Sequence, residues 1–193
     1  MMTTAIVFVL ETLFGLFVIA ALLRFWMQVC RAPARNPIAQ FSMALTDFAV
    51  KPLRRVIPGV LNLDWASLVV ALLLEFILQA LLYVLQSGAA PGASVLSMLL
   101  FLAFVHLARL SIYIFIVVII AQAVMSWINP YHPAAPFFDA LSRPLLRPVR
   151  KVIPPIGGVD ISPVFVLIFL QLLLMLPVSW LELETLRMIR NAS

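Results

Sequence analysis

The chain has 193 residues, 64% of them hydrophobic and only 11% charged, with a mean hydropathy of +1.13. An average soluble domain carries about 25% charged residues, so this composition excludes a soluble globular fold and requires apolar surface facing lipid. The formal net charge of +5 sits in short loops beside hydrophobic runs, where membrane topology signals sit. No nucleic-acid contact is therefore expected, and a single cysteine, Cys30, excludes an intrachain disulfide.

The first apolar run extends from Thr4 to Leu23, close to the roughly 20 residues that span a bilayer. Met1–Leu10 has no Lys or Arg. It therefore lacks the basic start of a cleavable signal peptide, and a retained helix with its N-terminus outside is predicted.

Arg24, Arg31 and Arg35 follow. Ile38, Phe41, Leu45 and Phe48 then recur at helical spacing, with Gln40 and Asp47 off that face. This pattern predicts an amphipathic helix, lying on the membrane surface or packed on the bundle end. Next comes Pro52-Leu-Arg-Arg-Val-Ile-Pro58, in which a proline at each end is expected to bound the helix between them. Asp64 stands before the second run, Ala66–Leu85. There it suits the free N–H groups and positive dipole of a helix start.

The connection Gln86–Ser94 is uncharged and carries Gly88, Pro91 and Gly92, a polar turn. The third run ends near Trp127 and begins somewhere between Leu96 and Leu110. Leu96–Trp127 would be about 48 Å of helix, against a hydrocarbon core of about 30 Å. One long helix is expected in preference to a separate Leu96–Leu107 segment. Phe137, Ala140 and Leu141 mark a second amphipathic stretch. After it come Arg143, Arg147, Arg150 and Lys151, then Asp160 and Ser162-Pro163, a second capping signal, with Ser162 at the cap. The fourth run is Pro163–Leu181, followed by Glu182, Glu184, Arg187 and Arg190.

The two basic loops repeat. Pro148-Val-Arg-Lys-Val-Ile-Pro154 matches Pro52–Pro58 at an offset of 96, which also carries Asp64 onto Asp160, Phe41 onto Phe137 and Glu75 onto Gln171. Upstream an offset of 98 carries Arg24 onto Gln122 and Glu11 onto Arg109. Identities gathered at one offset signal an internal repeat. Each unit holds two spans, so both insert with the same orientation. The expected fold is an all-α membrane protein with four transmembrane helices, built as two tandem parallel helix–basic loop–helix repeats. The units are residues 1–86 and 99–193, joined by an outer linker at 87–98. Both basic loops are expected in the cytoplasm and both termini on the other side.

The run from Arg143 to Val164, with Met125-Ser-Trp-Ile-Asn-Pro130 before it, resembles the signature of the YggT family of bacterial and plastid membrane proteins. The first repeat resembles it in degenerate form, with Pro58-Gly59 for Pro154-Pro155 and Asp64-Trp-Ala-Ser for Asp160-Ile-Ser-Pro. The resemblance implies a bacterial inner-membrane protein without established enzymatic activity. It also implies links to osmotic tolerance, to division or nucleoid organisation, or in plastids to cytochrome b6 maturation.

Candidate sites fall into three groups. Arg54, Arg55, Arg147, Arg150 and Lys151 are topology signals, or a surface for anionic lipid headgroups or an acidic membrane-protein partner. Asp64, Asp160 and Ser162 are helix caps, and the two aspartates could also pair with the arginines ten residues upstream. Glu11, Glu75, Arg109 and Gln171 are intramembrane polar residues, which are costly enough to require partners. The expected pairs are Glu11 with Arg109 and Glu75 with Gln171. His106 and His132 have no metal-ligand spacing to a carboxylate or cysteine, and no cofactor motif is present. A non-enzymatic scaffold is therefore expected, with a small oligomeric channel or transporter subunit as the alternative and a homo-oligomer allowed by either.

Overall fold

A computed structural model describes residues 2–57, 63–129, 132–153 and 160–192. Pro58 and Pro154, which close the repeated motif, and the Gly59 and Pro155 that distinguish its copies, lie outside the described residues.

Seven α-helices follow in order: α1 Met2–Val29, α2 Pro37–Val56, α3 Trp65–Ser87, α4 Ala93–Ile128, α5 Ala135–Val152, α6 Ser162–Leu173 and α7 Ser179–Ala192. A π-helical turn, Leu174–Val178, joins α6 to α7. Among the described residues four stretches are long and apolar enough to cross a membrane: α1, α3, most of α4, and the continuous run Ser162–Ala192. Within each, between 22% and 39% of the most apolar window is buried, so most of that apolar surface faces outward, as a lipid-solvated bundle requires.

Local chemistry sets the ends. Asn36 caps α2 by accepting from the Ala39 N–H at 2.9 Å, with Pro37 in the first turn. Asp64 caps α3 through the Ser67 N–H. Gly88 ends α3 in the left-handed region at φ 71°, a conformation that glycine takes without a Cβ clash.

Pro52 and Pro148 do not begin new helices: each lies inside one, α2 or α5. The bound expected at Pro52 is therefore absent. One lost backbone hydrogen bond is outweighed by packing just before each proline, where Val50 and Leu146 are fully buried.

Each repeat packs its two spans together, α1 on α3 and α4 on α6 and α7. The halves meet where α3 packs on α4 and where the Trp26 indole N–H donates to Ser111 at 3.1 Å. The third span is one helix of 36 residues, about 54 Å long. It starts at Ala93, inside the stretch first set aside as linker. Its far end stays covered because Val95, Leu99 and Leu102 pack on Ile189 of α7.

The two amphipathic helices sit differently. α2 buries a small-residue face of Ala39, Ser42, Thr46 and Val50, and leaves Phe41 and Phe48 59% and 68% exposed. These aromatics lie where the interface would take them. In α5 the equivalent Phe137 is buried with Leu141 in the core shared by α1, α3 and α4.

Candidate functional site

Two polar regions stand apart, one at the basic end of the bundle and one that begins at mid-span in its other half. The basic end, formed by α2, α5 and the starts of α3 and α6, holds the first. Arg24 near the end of α1 is 6% exposed. It donates to Thr46 at 3.1 Å and to Asp47 at 2.8 Å, and its Nε lies 3.3 Å from Asp64. Arg54, ten residues before Asp64, grips the same carboxylate through Nε at 3.1 Å and through its second nitrogen. Ser67 donates its hydroxyl to Asp64 at 2.6 Å, and Lys51 pairs with Asp47 at 2.7 Å. Burial pushes the Asp64 carboxyl up, but the Arg54 and Ser67 hydrogen bonds and the Arg54 charge outweigh it. They hold Asp64 below the usual carboxylate range.

The second repeat keeps half of this device. Arg150 pairs with Asp160 at 2.7 Å, again ten residues apart. Gln122 replaces Arg24, and Asp160 is more than a third exposed. Asp160 accepts from the Ser162 N–H at 2.9 Å. The helix starts at Ser162 itself with Ile161 at the cap position, so Ser162 is not the cap expected from the sequence, and Asp160, one residue before the cap, takes the first N–H. Burial raises the Asp160 carboxyl, and its bonds to Ser162 and Arg150 bring it below its ordinary value.

A recess of about 750 Å³ lies between the end of α1 and α5, lined by Arg31, Arg143, Arg147 and Lys151 beside Cys30 and Pro148. Arg143 pairs with Asp139 at 2.5 Å. Arg31, Arg147 and Lys151 make no ion pair among the described residues. Arg31 closes α1 with φ 52°, and the bond from Ala32 N–H to the Met27 carbonyl at 2.8 Å completes the turn. A non-glycine residue there costs about 1–2 kcal/mol, and such strain gathers at functional positions. Burial pushes the Cys30 thiol up, away from the reactive thiolate. A separate groove of about 340 Å³, lined by Ile19, Leu23, Tyr113, Val117 and Phe137, has only aliphatic and aromatic walls. Arg55 is exposed beside Arg54 and does not line the recess.

In the distal half, from mid-span toward the face away from the basic loops, a recess of about 500 Å³ gathers Glu11, Glu75, Gln79, His106, Arg109 and Glu182. Two expected pairs are corrected here. Arg109 binds Glu182, through Nη1 at 3.0 Å and through its second nitrogen. Glu11 shares the recess but forms no pair with Arg109. The cause is local to the last span. Pro177 has no N–H, the chain widens into the π-helical turn, and the Ser179 hydroxyl satisfies the Leu174 carbonyl at 2.7 Å. The helix then continues to Ala192 and carries Glu182 onto α4. Likewise Glu75 meets Gln79 at 2.8 Å and His106 at 2.9 Å, while Gln171 lies exposed on the outer face of α6.

Sequence reasoning weighed His106 only as a metal ligand, placed Glu182 in the tail after the last span, and passed over Gln79. A signal was present for two of them. Gln79 stands four residues after Glu75 and His106 three before Arg109, spacings that share a helix face.

The comparisons with known proteins agree with the repeat. The family described as CCB3/YggT matches residues 3–85 and 98–181, one match for each half. The chain belongs to the CCB3/YggT family. It is 36% identical over 186 residues to an uncharacterized protein of Pseudomonas aeruginosa, covering 95% of this chain and 93% of that one. It is 34% identical to a protein of Escherichia coli K12 called "Uncharacterized protein YggT", covering 86% and 85%. A Vibrio alginolyticus protein is 33% identical over 85% and 88% of the two chains. No solved structure matches. These CCB3/YggT relatives carry no enzyme name.

Proposed function

We propose that this CCB3/YggT chain is a non-enzymatic inner-membrane scaffold whose basic end holds an anionic phospholipid headgroup. The observation that carries this is the recess between α1 and α5. It gathers Arg31, Arg147 and Lys151 with no carboxylate partner among the described residues, and α5 also lines an apolar groove whose walls suit an acyl chain. The basic end faces the cytoplasm and both termini face outward, because ten Lys and Arg flank the two basic loops and none lies in Gln86–Ser94. A lipid-anchored platform of this kind would serve assembly or organisation roles, such as those in osmotic adaptation or division that the family resemblance implies.

A conducting role finds little support. Between the polar ends, α1 runs Leu13–Leu23, α3 Leu68–Leu74 and α6 Pro163–Leu170 without a charged or amide side chain. Val18, Leu22, Val70, Ala71 and Val118 close that stretch as packed core.

Native mass spectrometry of the purified protein tests the lipid site. Each basic residue near the surface contributes about 1 kcal/mol toward an anionic lipid. Arg31→Ala with Arg147→Ala and Lys151→Ala should therefore weaken retention of phosphatidylglycerol by roughly a hundredfold. Phosphatidylcholine binding should be unchanged. Equal retention of phosphatidylglycerol by wild type and the triple variant would refute the lipid site.

A further inference from the structure

The distal recess carries an inference independent of the basic end. His106 places Nδ1 2.9 Å from Glu75 and Nε2 3.2 Å from Glu182. A neutral imidazole has one N–H and one acceptor nitrogen. It can donate to one carboxylate but would set a lone pair against the other. Both contacts are satisfied only when the group holds one more proton than a neutral histidine with two carboxylates. If the ring carries it, both nitrogens donate. If Glu75 carries it, the carboxyl donates to Nδ1 and Nε2–H donates to Glu182.

Gln79 fits the second arrangement. Its amide nitrogen lies 2.8 Å from Glu75 and 2.9 Å from Nδ1. It donates to Glu75, and the single Nδ1 lone pair is left to accept from the Glu75 carboxyl.

Charge gives the same count. Glu75 is 3% exposed, and Arg109 neutralises only Glu182. Without the extra proton the four-residue group would carry a net negative charge inside the bundle, where unpaired charge is costly. The other titratable side chains lining the recess are Glu11 on α1 and Tyr83 on α3. Neither bonds to the imidazole among the described residues.

We propose that Glu75, His106 and Glu182 form an intramembrane proton-binding site, loaded from water at the distal face through this recess. Water delivers the proton as hydronium, the Glu75–His106 pair accepts it, and a water molecule remains. Arg109, bound to Glu182, supplies the fixed counter-charge. The apolar core between this recess and the basic end makes the site one-sided, so it binds a proton from one face and does not conduct it.

Nitrogen-15 histidine spectra with infrared spectra of the full chain in lipid nanodiscs at about pH 7 decide this. His132→Ala leaves His106 as the single histidine. One of two wild-type signatures is expected: both ring nitrogens protonated, or a neutral ring together with a protonated-carboxyl band. Glu75→Gln should convert His106 to an ordinary neutral imidazole and remove any carboxyl band. A wild-type neutral ring with no carboxyl band would overturn the proposal. So would a Glu75→Gln spectrum identical to wild type. Should the variant not fold, the wild-type spectra alone still separate the outcomes.

Discussion

Asp64→Leu is expected to destabilise the protein by about 3–5 kcal/mol, the range for breaking a buried ion pair. Asp160→Leu should cost under about 1 kcal/mol, as exposed pairs do. The two aspartates occupy equivalent repeat positions and each pairs with an arginine ten residues upstream. Their burial separates them. The Asp64 side chain is 2% exposed and also faces the buried Arg24, whereas Asp160 and Arg150 are 37% and 38% exposed. Removing Asp64 strips one partner from Arg24 and the cap from α3 together, leaving Asp47 and Thr46 as the remaining Arg24 contacts. Denaturation of purified protein by sodium dodecyl sulfate measures both costs. Adding Arg24→Leu to Asp64→Leu should recover little, because Arg24 keeps its 2.8 Å pair with Asp47 when Asp64 is removed.

The same carboxylate gives an acid dependence with a fixed sign. Asp64 in the folded state lies below its ordinary value, about 3.9 in an unfolded chain. Its contribution is complete above that unfolded value and is lost as pH falls through the lower folded one. Asp47, held low by the Lys51 and Arg24 hydrogen bonds, and Asp160 add to the loss in the same direction. Asp64→Asn should therefore flatten the acid limb of the stability curve without abolishing it.

Glu182→Leu is expected to cost about 2.5–3.5 kcal/mol, the penalty for a basic side chain left at the centre of a span. Arg109 lies near the middle of α4, and Glu182 supplies its ion pair. The remaining contact, to the Ser179 hydroxyl, is 3.5 Å long, and the Arg109 Nε is already buried without a partner. Glu182→Gln keeps a hydrogen-bond acceptor and should cost less. Glu184→Leu removes only a pair with Arg187 in which the side chains are 39% and 64% exposed. It should stay under about 1 kcal/mol. A Glu182→Leu loss no larger than that of Glu184→Leu would mean that Arg109 finds another partner or reaches solvent.

The spans, the repeat and the link from each loop arginine to the aspartate ten residues on were legible in the sequence, because hydropathy and repeat offsets are local or periodic signals. The long third helix was legible in outline. Its distal half is held by α7, a partner hidden from a reading that ended the last span at Leu181. That end point also concealed Glu182. A π-helical turn at Pro177 rotates every residue after it relative to an α-helical projection, so no fixed spacing leads from Gln171 to Glu182. The offset that paired Glu11 with Arg109 did bring both to one recess, but proximity in depth does not choose the partner.

Phe41 and Phe137 show a second limit. They stand at one repeat offset, yet Phe137 joins the core shared by α1 and α4 while Phe41 stays exposed. The α1–α4 seam between the halves is a tertiary feature that neither repeat encodes alone. Arg31 was visible only as one more basic residue. Its left-handed backbone and its place on the recess between α1 and α5 follow from how α1 ends against α5.

The basic end as a lipid-holding surface is tested most directly by a photoactivatable phosphatidylglycerol, cross-linked to the protein in native-like bilayers and mapped by peptide mass spectrometry. Headgroup adducts should concentrate on Val29–Arg31 and on Ala140–Val152, and should fall away in the Arg31, Arg147 and Lys151 alanine variant. Adducts spread evenly along the spans, or gathered on α7 at the distal end, would contradict the account.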